Sequence, residues 1–82
     1  MSDAFIKKNV KLSLEFDNYL AHHPKLFNDI PNGAYVVITI QGDNKFNADS
    51  LSTVRDIKRS KIVEAHKADS KWSIKPLPIL AA

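Results

Sequence analysis

The residues that could do chemistry are three histidines, nine acids and twelve basic residues, with no cysteine in the chain of 82. Without a thiol there is no disulfide, no thiolate nucleophile and no Cys-ligated zinc or iron–sulfur site, a composition that fits a reducing compartment. His22 and His23 stand together before Pro24, and paired imidazoles invite a metal. Their spacing argues against it. Neighbours at i and i+1 diverge on a helix, no acid or further histidine follows at ligand spacing, and a helix C-terminus favours His through its dipole. His66 is the other candidate, as a nuclease-like group acting with Lys67 or Arg59, yet no nucleophile or orienting carboxylate lies beside it in sequence. The acids Glu15, Asp17, Asp43, Asp49, Asp56 and Glu64 are scattered. Gly42-Asp43-Asn44 lacks the further glycines and the Lys-Ser/Thr of a phosphate-cradling loop and reads as a plain βα connection. No catalytic residue, metal ligand or cofactor is assigned on these grounds, and an enzyme is the last of the readings.

Charge is more directional. Residues 1–41 balance four lysines against four acids, so the whole net charge of +3 falls in the second half. There Lys58, Arg59, Lys61, Lys67, Lys71 and Lys75 accompany Trp72. On a strand, Lys71, Ser73 and Lys75 face one way while Trp72 and Ile74 face the other. Basic side chains beside an exposed ring could bind RNA or single-stranded DNA by neutralising phosphates and stacking bases. The competing explanation is that lysines on an edge strand prevent edge-to-edge aggregation and that Trp72 anchors the core. It is preferred, because a charge of +3 falls short of the dense basic surface of a nucleic-acid binder.

A short list of elements has to position these residues. With 44% hydrophobic and 26% charged residues and few Gly or Pro, residues 1–82 read as a single small globular domain. A core of that size is thin, so self-association would add useful burial. The run from Ala34 to Ile40 is β-branched, apolar on both alternating faces and bracketed by the chain's two glycines, Gly33 and Gly42, which predicts a central strand covered on both sides. Before it, Ser2 or Asp3 caps a helix from about Ala4 to Ala21. Phe5, Leu12, Phe16, Tyr19 and Leu20 share one face of that helix, and Ile6, Val10 and Leu14 widen it beyond half the circumference. An arc wider than one sheet face needs implies a second contact surface, so Phe5, Ile6, Val10 and Leu14 form a candidate interaction surface for a second copy of the chain or another small protein.

Pro24 ends the first helix and opens a short second one to about Ile30, with Leu26, Phe27 and Ile30 turned inward. Asn47 or Asp49 caps a further helix from about Ala48 to Arg59, with Ala48, Leu51, Val54 and Ile57 on its inner side. Lys61–Lys67 and Lys71–Lys75 read as a hairpin turning at Ala68-Asp69-Ser70, with continued helix as the competing reading of residues 61–70. Pro76 and Pro78 stop the pairing, and Ile79-Leu80 either docks on the core or frays. The order predicts an α+β fold: an N-terminal amphipathic helix and a short second helix packed on a small sheet built from a βαβ unit plus an edge hairpin strand. No apolar leader region and no apolar span of about 18 residues is present, so a cytoplasmic location is expected and no membrane partner.

The segment Leu12-Ser13-Leu14-Glu15-Phe16-Asp17-Asn18-Tyr19-Leu20, then His23-Pro24, Ile30-Pro31-Asn32-Gly33-Ala34 and the strand, resembles a small uncharacterised prokaryotic family of about this length, over roughly two thirds of the chain. Ile62-Val63-Glu64-Ala65 and Lys71-Trp72-Ser73-Ile74-Lys75-Pro76-Leu77 are similar in pattern to the exposed hairpins of such proteins, without their usual glycine before the strand. The resemblance implies a βαβ-type core and carries no activity. The functional expectation is a non-enzymatic protein-binding or regulatory module, such as an antitoxin-like partner of another small protein. The alternative is binding of RNA or single-stranded DNA through the basic C-terminal half.

Overall fold

Ser2 Oγ accepts the N–H of Phe5 at 3.2 Å, and from that cap the first helix, α1, runs from Asp3 to His22. The computed structural model describes residues 2–56 and 61–77. With no Gly or Pro to interrupt it, α1 turns Phe5, Leu12, Phe16 and Leu20 into the core and half-buries Tyr19. Pro24 then opens α2, Pro24–Phe27. This helix stops short of the expected Ile30, because Asn28, Asp29 and Ile30 each bond the carbonyl three residues back and tighten the chain into turns. Leu26 and Ile30 therefore reach the core, whereas Phe27, expected to point inward with them, is 61% exposed.

Three strands follow: β1, Tyr35–Ile40; β2, Ile62–Ala68; and β3, Lys71–Pro76. β1 and β2 run parallel with Tyr35 opposite Ile62 and Ile40 opposite Lys67, and β2 and β3 run antiparallel with Val63 opposite Pro76 and Ala68 opposite Lys71. The α+β class, the βαβ unit and the hairpin are those expected from the sequence. The place of β1 is not. The sheet order is β1-β2-β3, so the strand expected at the centre lies at an edge, and β2 is central because it both receives the crossover and continues into the hairpin. β1 is still covered on both sides, for the successive residues Val37, Ile38 and Thr39 are all buried. The hairpin turns without glycine because Asp69 and Ser70 both adopt left-handed φ, 51° and 65°, the combination that matches the twist of two-residue hairpins.

The core lies between α1 and one sheet face, where Phe5, Leu12, Phe16 and Leu20 meet Ile38, Ala65 and Trp72. The Phe16 and Trp72 rings sit 5.0 Å apart and tilted by 51°. Phe46 joins the cluster against Phe5 at 5.2 Å. It is carried by α3, Asn44–Ser52, which passes into a 3₁₀ turn at Thr53–Asp56. This helix begins four residues before the expected Ala48, capped by Asp43 rather than by Asn47 or Asp49: Asp43 Oδ1 accepts the Phe46 N–H at 3.0 Å. All three are capping residue types, but only Asp43 follows a chain reversal, at Gly42 with φ 86°. The shifted start rotates the helix, so Phe46 and Ser50 face inward while Ala48 and Leu51, expected inside, are exposed. Val54 is half-buried. Ile57, Lys58, Arg59, Pro78, Ile79 and Leu80 lie outside the described residues. Among the described residues, no helix is long and apolar enough to cross a membrane.

Candidate functional site

On α1, the residues expected to form an interaction surface divide in two. Phe5 is 8% exposed and belongs to the core, whereas Ile6, Val10 and Leu14 are 47%, 53% and 65% exposed. The last three recur every four residues and so form one ridge along the helix. Ile6 and Val10 also line a cleft of about 390 Å³, bounded by α1 on one side, residues Tyr35 to Ile38 of β1 on another, and Ser50 and Thr53 on the third. Among the described residues, none of those lining it is charged.

The floor of this cleft is the outer edge of the sheet. In a parallel pair, alternate residues direct both backbone groups toward the neighbouring strand and the intervening ones direct both away. The Tyr35 N–H reaches Lys61 O at 3.0 Å and the Gln41 N–H reaches Lys67 O at 2.9 Å, so Val36, Ile38 and Ile40 are the outward-facing residues. Asn47 closes one of them. Its Oδ1 accepts the Ile40 N–H at 2.8 Å and its Nδ2 donates to Ile40 O at 2.7 Å, the pair of bonds a further strand would have made. The outward N–H and C=O of Val36 and Ile38 have no partner among the described residues. Beside them Ser50, 3% exposed, carries an Oγ with no hydrogen-bond partner among the described residues. Leaving buried polar groups unmet is unfavourable, and native proteins rarely do so. The sequence offers Asn47 only as a helix cap, and by itself gives no sign of Ser50 or of the open β1 edge. The signal for Ser50 was its four-residue spacing from Phe46, which becomes readable only once the helix is started at Asp43.

At the start of α3, Asp43 forms an ion pair with Lys8 of α1, and the Lys8 ammonium lies 5.4 Å from the centre of the Phe46 ring. The hydrogen bond from Lys8, followed by that from the Phe46 N–H, holds the Asp43 carboxyl below its ordinary value of 3.8. A carboxyl with a depressed folded value contributes stability above its unfolded value and loses it as pH falls through the folded one, so this link weakens only below about pH 4. A side-chain NMR titration is expected to give Asp43 a midpoint under 3.8, and Lys8→Met should bring it back toward that value. A wild-type midpoint at or above 3.8 would show that the pair does not form.

The far face of the sheet carries a polar group that the sequence left dispersed. Thr39 Oγ1 donates to Glu64 Oε2 at 2.6 Å, and His66 Nδ1 lies 2.7 Å from the same hydroxyl oxygen. With the hydroxyl proton given to Glu64, the imidazole donates its own. Lys75 Nζ completes the set at 3.6 Å from Glu64 Oε1. Glu64 and His66 share a strand face at a separation of two, and the register brings Thr39 opposite His66. Their grouping was therefore legible only with strand pairing in hand. Thr39 is 2% exposed, so its hydroxyl is beyond the reach of a substrate, and the arrangement ties β1, β2 and β3 together. The expected partnership of His66 with Lys67 is not formed: adjacent strand residues point to opposite faces, and Lys67 Nζ crosses to Glu15 Oε1 at 2.7 Å. Arg59 lies outside the described residues. His22 and His23 are spent locally, each ring Nδ1 donating at 2.9 Å to the carbonyl four residues back, at Asn18 and Tyr19.

The basic residues also separate. Lys67 faces α1, Lys71 and Lys75 face the opposite side of the sheet and are exposed, and Lys61 is exposed before β2. Lys58 and Arg59 fall outside the described residues. Trp72, the ring that would stack on bases, is 6% exposed and packed on Phe16.

Fold and surface together describe a small α+β protein with a mixed three-stranded sheet and an apolar helix ridge beside its β1 edge. The chain belongs to the family of unknown function DUF5647, which matches it over residues 4–64. That span takes in α1, α2, β1, α3 and the start of β2, and leaves β3 outside. No curated protein and no solved structure shows significant similarity to the chain.

Proposed function

We propose that the protein is a non-enzymatic protein-binding or regulatory module that engages its partner through Ile6, Val10 and Leu14. One observation supports this reading: three apolar side chains about half exposed or more form a continuous ridge on the flank of a helix whose adjoining face fills the core. Single apolar residues at a surface are ordinary, but a ridge continuous with a cleft whose described lining carries no charge is the kind of patch that marks association. The partner is a second copy of the chain or another small protein, with an antitoxin-like pairing as the finer form, acting in the cytoplasm. Binding of RNA or single-stranded DNA is the second reading. Exposed Lys61, Lys71 and Lys75 favour it, and the burial of Trp72 removes its stacking ring.

The test combines sedimentation velocity from low to high micromolar concentration with capture from the native host. Immobilised wild type is compared with Ile6→Ser/Val10→Ser/Leu14→Ser, a variant that leaves every core side chain in place. The expected result is association with itself or with a co-purifying protein, lost in the variant. A chain that stays monomeric and retains RNA instead of protein would overturn the proposal in favour of the second reading.

A further inference from the structure

We infer that the cleft at the outer edge of β1 accepts a short, extended, uncharged peptide segment of a partner protein, which adds to the sheet as a fourth strand. The inference rests on the protein-binding reading above and specifies what the partner presents. Four backbone groups carry it, the N–H and C=O of Val36 and of Ile38, which point away from β2 and have no partner among the described residues, on two residues that line the cleft. Two such pairs spaced two residues apart, about 6.6–6.8 Å along a strand, match the repeat of another extended chain. A helix satisfies its own backbone groups and offers no such match. The unpartnered Oγ of Ser50, buried at the far wall, adds a side-chain hydrogen bond for the guest.

The surroundings set the chemistry and length of the guest. Among the described residues no charged side chain lines the cleft, so these walls offer a charged guest side chain no compensation for its lost hydration. Alternate guest side chains fall toward α1, where Ile6 and Val10 offer exposed apolar surface. At the upper end Asn47 already occupies the bonding positions of Ile40, which limits the guest to the level of Val36 to Ile38. A second copy is a poorer occupant. Its own β1 edge is already flanked by its own Asn47 and Ser50, and the β3 edge carries the exposed charges of Lys71 and Lys75.

The experiment uses the full chain, ¹⁵N-labelled, and a pool of end-blocked pentapeptides built from Val, Ile, Thr and Ser. A matched pool carries the same side chains with alternate backbone amides N-methylated. The expected result is that the Val36 and Ile38 amide signals shift and exchange with solvent on the order of tenfold more slowly with the first pool. The methylated pool should bind at least several-fold more weakly. Val36→Pro removes one outward donor while leaving the bonds to β2 intact, so it should still melt cooperatively and should also bind more weakly. If that variant does not fold, the comparison of the two pools decides alone. Unchanged Val36 and Ile38 amides, or equal binding by the methylated pool, would overturn the proposal. Equal binding that maps to Ile6 and Val10 would defeat strand addition while leaving the protein-binding reading intact. Concentration-dependent shifts of the two amides without peptide would assign the edge to a second copy and overturn the peptide.

Discussion

Replacing Val37 with Asp is expected to leave no cooperatively folded protein at room temperature. Val37 is 3% exposed, and the β1–β2 register sets it opposite Glu64, so the new carboxylate would be buried beside an existing one. An unpaired buried charge costs about 3–5 kcal/mol even before such repulsion. A chain of this length has about 4–12 kcal/mol of total stability. Circular dichroism during heating checks the outcome: the variant should show no sigmoidal transition where the wild type shows one. A melting temperature within a few degrees of wild type would mean that Val37 is not packed between strand and covering chain.

Trp72→Ala should cost about 3–5 kcal/mol, the usual range for truncating a buried aromatic. Trp72 is the contribution of β3 to the core, packed on Phe16 and flanked by Ala65, which is 0% exposed. Urea unfolding measures the loss, and a change of only a few tenths would place the ring at the surface. The milder Trp72→Phe keeps an aromatic against Phe16 and supplies a folded variant for a second measurement. Titrated with single-stranded RNA at two salt concentrations, it should behave as the wild type does, since a core ring contributes no base stacking. A selective loss of RNA affinity in Trp72→Phe would revive the nucleic-acid reading.

Local chemistry made much of this fold legible. The β-branched run before Gly42 gave β1 to within one residue, the Pro24 boundary separated α1 from α2, and alternation around Trp72 located the hairpin. What the sequence concealed depended on which of several equivalent residues wins a tertiary contact. Asp43, Asn47 and Asp49 are all good caps. Only the folded chain shows Asp43 capping α3 while Asn47 turns its amide to the β1 edge. Once the cap is misassigned, the inward face of α3 is misassigned with it, and Ser50 disappears from view. The Thr39, Glu64 and His66 group was hidden for a different reason, because its members meet across two strands whose pairing requires the whole crossover. Conversely, the ridge at Ile6, Val10 and Leu14 was legible because helical spacing alone puts those residues beyond the arc that one sheet can cover.

The strand order has a consequence for the timing of assembly. Every strand pair includes β2, so during synthesis no part of this sheet can form until residues 62–68 have been made. The Asp43 and Asn47 bonds span three and seven residues and can form as soon as α3 has been made. The β1–β2 pairing must instead wait for a far larger loop to close, the slow kind of step in folding. Through that interval Phe5, Leu12, Phe16 and Leu20 have no completed sheet to cover them. The nascent chain thus carries an aggregation hazard on α1 until β2 and β3 have left the ribosome and covered it.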